Sequence, residues 1–311
     1  MGEKTGIAWT DSTFNPWIGC TMVSPACANC YAEQSKPTKQ HGVRWGPGQP
    51  RHRTGPETWR KPLRWNREAE ASGVRRKVFC LSLGDWLDPE IPVEWLSDLL
   101  ELIGETPWLD WQLLTKRPEC WKERMEAVVA HGDSKTSRWA DKPAAVAAGT
   151  WLSGIRIPPN VWVGCTVEDQ QRANERIPLL LRIPALVRFL SMEPLLEGIN
   201  LFQASRPGDG TYIAEFSARN TALGDLNWVI VGGESGDKAR PFNLGWARDI
   251  MRQCEAAGVA VFIKQMGDLP INPLSMSAGG EGLRLPAYKA HNGADPAEWP
   301  EDLRVRQFPT V

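Results

Sequence analysis

The chain has 311 residues and a formal net charge of −1. That length buries a large core, as one barrel-sized domain or two ordinary ones. The balanced charge excludes a polyanion binder acting through its whole surface, so any nucleic-acid surface must be local. No apolar run reaches the length of a membrane span, Met1-Gly2-Glu3-Lys4-Thr5 lacks a signal-peptide pattern, and seven cysteines without a repeating framework fit a reducing cytoplasm.

In chain order, a short apolar piece, Gly6-Ile7-Ala8-Trp9, leads into a loop over residues 15–32 that holds Cys20, Cys27 and Cys30 as C-x6-C-x2-C. Pro16, Gly19 and Pro25 break regular structure there. Thiolates gathered on a short loop form a metal or cluster site. Three ligands leave one position open. On zinc it would take a fourth side chain, such as His41, or a water; on a four-iron cluster it leaves one iron free for a small molecule. Cys80, Cys120, Cys165 and Cys254 stand alone and read as small buried hydrophobes.

Residues 36–77 are strongly basic, with Trp45, Trp59 and Trp65 interleaved, and read as a long loop with one short helix. Cations among aromatics suit single-stranded nucleic acid or a flipped base, and equally a solvated loop. The sixteen tryptophans of the chain suit stacking surfaces as well as cores.

A regular alternation follows. Apolar runs at 78–82, 111–115, 161–165, 187–190, 228–231 and 259–263 read as strands, with helices over about 95–103, 118–130, 170–181 and 245–257. Residues 131–157 and 203–224 read as irregular insertions, and 268–311 as an irregular tail. Short apolar strands separated by helices predict an α/β fold with buried parallel strands, a partial or complete parallel (β/α) barrel with loop insertions, as one domain over 1–267. Each strand ends in polar residues: Asp85; Lys116 and Arg117; Glu168 and Asp169; Glu193; Glu234; Lys264 and Gln265. In such folds these ends open on one face, where active sites are built. Gly232-Gly233-Glu234 reads either as a tight turn or as a close backbone approach to a ligand, and Glu193 with Glu234 also suits a glycosidase pair.

Asn15-Pro16-Trp17 before Cys20, Cys27-Ala28-Asn29-Cys30-Tyr31-Ala32, 113–118 (LLTKRP), 167–170 (VEDQ), 189–195 (FLSMEPL) and 229–236 (VIVGGESG) together resemble the three-Cys-motif phage protein family, over about residues 7–267. That resemblance implies a cytoplasmic protein of a phage or its bacterial host, with a partner protein encoded nearby. A weaker resemblance is to radical S-adenosylmethionine (SAM) enzymes, which carry three cysteines on an N-terminal loop of a partial β/α barrel. Their first gap is three residues where this chain has six, and their Gly-Gly-Glu element follows the second strand, near Gly84-Asp85 here.

The resemblance implies Cys20, Cys27 and Cys30 as ligands of a [4Fe-4S] cluster that binds and cleaves SAM with an electron donor. It implies Gly84, Asp85, Glu168, Ser191, Gly232, Gly233 and Glu234 as cofactor-binding, and Glu193, Glu234, Asp85 and Lys116 as catalytic candidates. Nucleic acid or a nucleotide, met through the basic segment, is the expected substrate. The alternative is a zinc-stapled nucleic-acid-binding protein without catalysis.

Overall fold

The computed structural model describes residues 5–135, 142–204, 221–276, 282–284, 288 and 290–310. The chain gathers into two compact units. The first is Met1–Met22, Ala32–Gly164 and Ile183–Leu186; the second is Val23–Tyr31, Cys165–Arg182 and Val187–Val311.

In the first unit, β1 (Ser12–Thr13) and β2 (Trp17–Ile18) precede the cysteine loop. After it come α1 (Lys36–Gln40), β3 (His52–Arg53), α2 (Pro56–Ser72), β4 (Arg76–Cys80), α3 (Val93–Glu105) and β5 (Leu109–Thr115). The unit continues with α4 (Trp121–Lys135), α5 (Pro143–Leu152) and β6 (Val161–Thr166), the last two residues of β6 belonging to the second unit. Strands β1, β4 and β5 lie side by side in parallel, with Ser12 opposite Val78 and Cys80 opposite Leu113. β2 and β3 form a separate antiparallel ribbon.

The basic segment departs from expectation: much of it is the 17-residue helix α2. Pro56 sits in its first turn and Gly73, at φ 67°, closes it, the usual asymmetry of helix ends. Pro62, Trp65 and Ala69 are its buried stripe, while Arg60, Arg64 and Arg67 are exposed. Charges filling the other faces hid that period. Residues 131–157 also differ. Helix α5 packs on α4 so closely that a Cβ added to Gly132 would lie 2.4 Å from the Ala145 Cβ.

In the second unit the order is α6 (Gln170–Leu181), β7 (Val187–Met192), β8 (Trp228–Gly232), β9 (Phe242–Asn243), α7 (Leu244–Ala257), β10 (Ala260–Gln265), β11 (Pro270–Met276) and β12 (Gly282–Arg284). β7, β8 and β10 are neighbours in parallel, Ser191 facing Ile230 and Ile230 facing Phe262. Asp169 caps α6 by accepting from the Arg172 backbone N–H at 2.8 Å, so this strand-end acid serves the helix. Asn243 caps α7 in the same way. The insertion expected at 203–224 lies largely outside the described residues (205–220), as do Met1–Lys4. The tail contains β11 and β12, and its residues 305–307 pair antiparallel with β10, the Ile263 N–H donating to Val305 O and Gln307 N–H to Val261 O, each at 2.8 Å.

The fold class is therefore α/β. The parallel strands follow the order β1-β4-β5 in the first unit and β7-β8-β10 in the second, with helices between successive strands, as the expected (β/α) topology requires. Tryptophan is core material: ten of the described tryptophans are buried and none is exposed, so few faces remain for stacking on a flat ligand. No described helix is long and apolar enough to cross a membrane.

Candidate functional site

The cysteine loop is divided between the units: Cys20 belongs to the first, Cys27 and Cys30 to the second. In each unit, strand-end charges grip the loop's backbone.

In the first unit the centre is Asp85, just beyond β4 and 3% exposed. Its Oδ1 accepts from Thr115 Oγ1 at 2.7 Å and from the Leu87 N–H at 3.0 Å. Its Oδ2 accepts from the Lys116 N–H at 2.8 Å and from the Arg117 guanidinium at 3.0 Å. Arg117, thus fixed, donates to Thr21 O at 2.7 Å and to Cys20 Sγ at 3.4 Å. Burial and then the Asp85 carboxylate push the Cys20 thiol up to about 11, against the opposing pull of Arg117. A second buried guanidinium, Arg51, pairs with Asp88 at 2.9 Å and donates to Thr21 Oγ1 at 2.7 Å and to Gln49 O at 2.8 Å. Arg117, rather than Lys116, is the cation of this cluster; the Lys116 side chain is half-buried and enters through its backbone alone. Gly84 has a local reason: a Cβ there would meet Leu81 Cδ1 at 2.6 Å and Gly19 O at 3.1 Å. His41, the candidate fourth zinc ligand, stacks on His52 with ring centres 4.2 Å apart.

In the second unit two carboxylates hold residues 25–29. Glu168, fully buried at the end of β6, accepts from the Ala26 N–H at 3.3 Å and from Arg176 at 2.9 Å. Glu234, beyond β8, accepts from Asn29 Nδ2 at 3.1 Å and takes the Arg240 guanidinium on both oxygens, at 2.8 and 2.6 Å. Arg240 also donates to Pro25 O at 3.0 Å. Burial raises the Glu234 carboxyl, but the hydrogen bonds from Arg240 and Asn29 outweigh it and hold the group below the usual carboxylate range. Cys27 and Cys30 are half-buried, joined by a turn in which the Cys30 N–H donates to Cys27 O at 3.2 Å. Among the described residues, no three His, Cys, Asp or Glu side chains stand close enough to hold a metal ion. Cys80, Cys165 and Cys254 are buried as expected, whereas Cys120 is half-buried.

The family model for DUF5131, described as a protein of unknown function, matches residues 4–290. The chain belongs to the DUF5131 family. No curated protein and no solved structure matches it.

In this DUF5131 chain the remaining site candidates form a third group. Ser191, 4% exposed, lies on β7 and Glu193 directly beyond it, and Glu193 pairs with Lys264 of β10. Gly233 serves packing: a Cβ there would lie 2.4 Å from Met266 O and 2.8 Å from Met266 C. Backbone cannot swing aside as the Leu81 side chain beside Gly84 can. Gly233→Ala is thus expected to cost about 1–3 kcal/mol and Gly84→Ala less. Urea unfolding of the two variants checks this, and equal midpoints would contradict it.

Asp85, Glu168 and Glu234 were legible as strand-end acids. Their partners Arg176, Arg240 and Asn29 were not, nor were Arg51 and Asp88. Arg51 falls in the basic segment, whose composition suits a nucleic-acid surface and a solvated loop equally, and nothing in the spacing of the others marks them.

Proposed function

We propose that this chain is an iron–sulfur enzyme of the radical-SAM type, with Cys20, Cys27 and Cys30 as the cluster ligands. The observation that carries the reading is a loop with three thiols inside residues 20–30 whose backbone is gripped by buried carboxylate–arginine systems on both sides of Met22. A cluster with an open iron needs its ligands and the space above them fixed. The donor chemistry fits: the three thiols are half-buried and belong to no apolar core. When bound, a [4Fe-4S] cluster with one open iron supplies coordination and reductive cleavage of S-adenosylmethionine, with an electron donor as partner.

The chain's own residues position that chemistry. Arg117 donates to Cys20 Sγ and, held by Asp85, fixes Thr21. Arg240 and Glu168 fix Pro25 and Ala26. Nucleic acid or a nucleotide is the proposed substrate, met by phosphate contacts to Arg60, Arg64 and Arg67 on α2. Base stacking on the tryptophans of the basic segment is less favoured: Trp65 is 1% exposed, and Arg53 covers Trp59 at 4.5 Å. The resemblance to the three-Cys-motif phage family supports a phage or bacterial setting and a partner protein encoded nearby.

Metal analysis tests the reading. Protein purified without oxygen is expected to hold about four iron and four sulfide per chain, with broad visible absorbance that Cys30→Ala removes. One tightly held zinc in a colourless protein would replace this reading with the zinc-stapled nucleic-acid binder.

A further inference from the structure

The strand-end carboxylates differ in what they have left to offer. Asp85 accepts four hydrogen bonds, and Glu234 is filled by Arg240 and Asn29. Glu168 is fully buried, with one oxygen on the Ala26 N–H and the other on Arg176. Glu193 is not filled. Its Oε1 meets Lys264 Nζ at 2.5 Å, and among the described residues its Oε2 accepts from nothing. The Lys264 ammonium has three N–H donors and makes this one contact among the described residues. Both side chains are 17% exposed, so the pair is reachable from solvent yet largely withdrawn from it.

The register explains the opening. Ser191, Ile230 and Phe262 form one rung across β7, β8 and β10. Beyond it, Glu193 directly follows β7 and Gly232 of β8 stands opposite Gln265 of β10, the register shifting so that Lys264 is the extra residue, whose Nζ reaches Glu193. The middle strand contributes no side chain there. A Cβ at Gly232 would approach Glu193 Cγ at 3.3 Å and Cδ at 3.4 Å, so a larger residue there would press on the carboxylate side chain. The result is a half-buried cation beside a half-buried anion above a bare glycine, each with unused hydrogen-bonding capacity.

We infer that Glu193 and Lys264 bind a zwitterionic α-amino-acid head group. The ligand ammonium would donate to Glu193 Oε2, and the ligand carboxylate would accept the remaining N–H bonds of Lys264. Such a ligand leaves the site's net charge unchanged and adds charge-assisted hydrogen bonds at both ends. An isolated anion or cation would have to compete with one member of the pair for the other. This assignment concerns the protein without any metal and stands or falls separately from the cluster reading.

The test is saturation-transfer NMR with an equimolar mixture of free L-amino acids, followed by calorimetric titration of the strongest binder. The N-acetyl derivative and the methyl ester of that amino acid remove one charge each. Both are expected to bind at least tenfold more weakly than the parent. Glu193→Gln and Lys264→Met should each lose binding by a similar factor, with folding verified by thermal melts. No amino acid binding, or derivatives that bind as well as the parent, would overturn the assignment. Metal content is measured on the same samples, so a failure here is told apart from a failure of the cluster reading.

Discussion

Asp85→Ala is expected to destabilise the protein by about 3–5 kcal/mol, the range for removing one partner of a buried ion pair. The side chains of Asp85 and Arg117 are each 5% exposed, so the guanidinium left behind finds little water. Three further donors lose their acceptor: the Leu87 and Lys116 N–H groups and the Thr115 hydroxyl. For a chain of this size the melting temperature should fall by on the order of 10 °C. Adding Arg117→Met should recover much of the loss, because the penalty lies in the orphaned charge. Thermal melts of the single and double variants check this. A double variant as unstable as the sum of its parts would show that the pair is not coupled.

Glu168→Ala is expected to act on the other half of the loop with a comparable cost of about 3–5 kcal/mol. Arg176, whose side chain is 7% exposed, would keep Thr166 O at 2.9 Å but lose its counter-charge, and the Ala26 N–H would lose its acceptor. The distinguishing readout is local. Cys27 follows Ala26 directly, so alkylation of Cys27 should accelerate well beyond that of Cys120, which sits in the other unit. Unchanged Cys27 reactivity in a folded Glu168→Ala protein would mean that the carboxylate does not hold the loop.

Sequence and structure agree where a local pattern suffices. The apolar runs of β4 to β8 and β10 are short and end in polar residues, so each strand could be placed from its own residues. β1, with two residues, carries no period and was invisible. α2 was hidden because seven of its seventeen residues are charged and two are proline, although Gly55-Pro56 and Gly73 mark its ends. α5 is rich in alanine, which marks no face. At the site, the identity of the acids was legible and their pairing was not. Asp85 and Arg117 are 32 positions apart, and Asn29 and Glu234 are 205 apart. Those acids suggested ligand grips, yet three of them engage arginines and the cysteine loop. Which charges meet is set by strand order, and spacing within a chain does not encode that.

The antiparallel pairing of residues 305–307 with β10 bears on how the border of this sheet is protected. β10 ends the strand order, and a bare terminal strand presents unpaired N–H and C=O groups that recruit other chains into extended sheets. Here Val305 and Gln307 cover that border, and Phe308 lies against Trp228 and Phe262. The shared family region stops at residue 290, so this covering belongs to a part of the chain that DUF5131 does not define. A chain without such a segment leaves this strand as a template for pairing, to be blunted by a lysine, a proline or a neighbouring subunit.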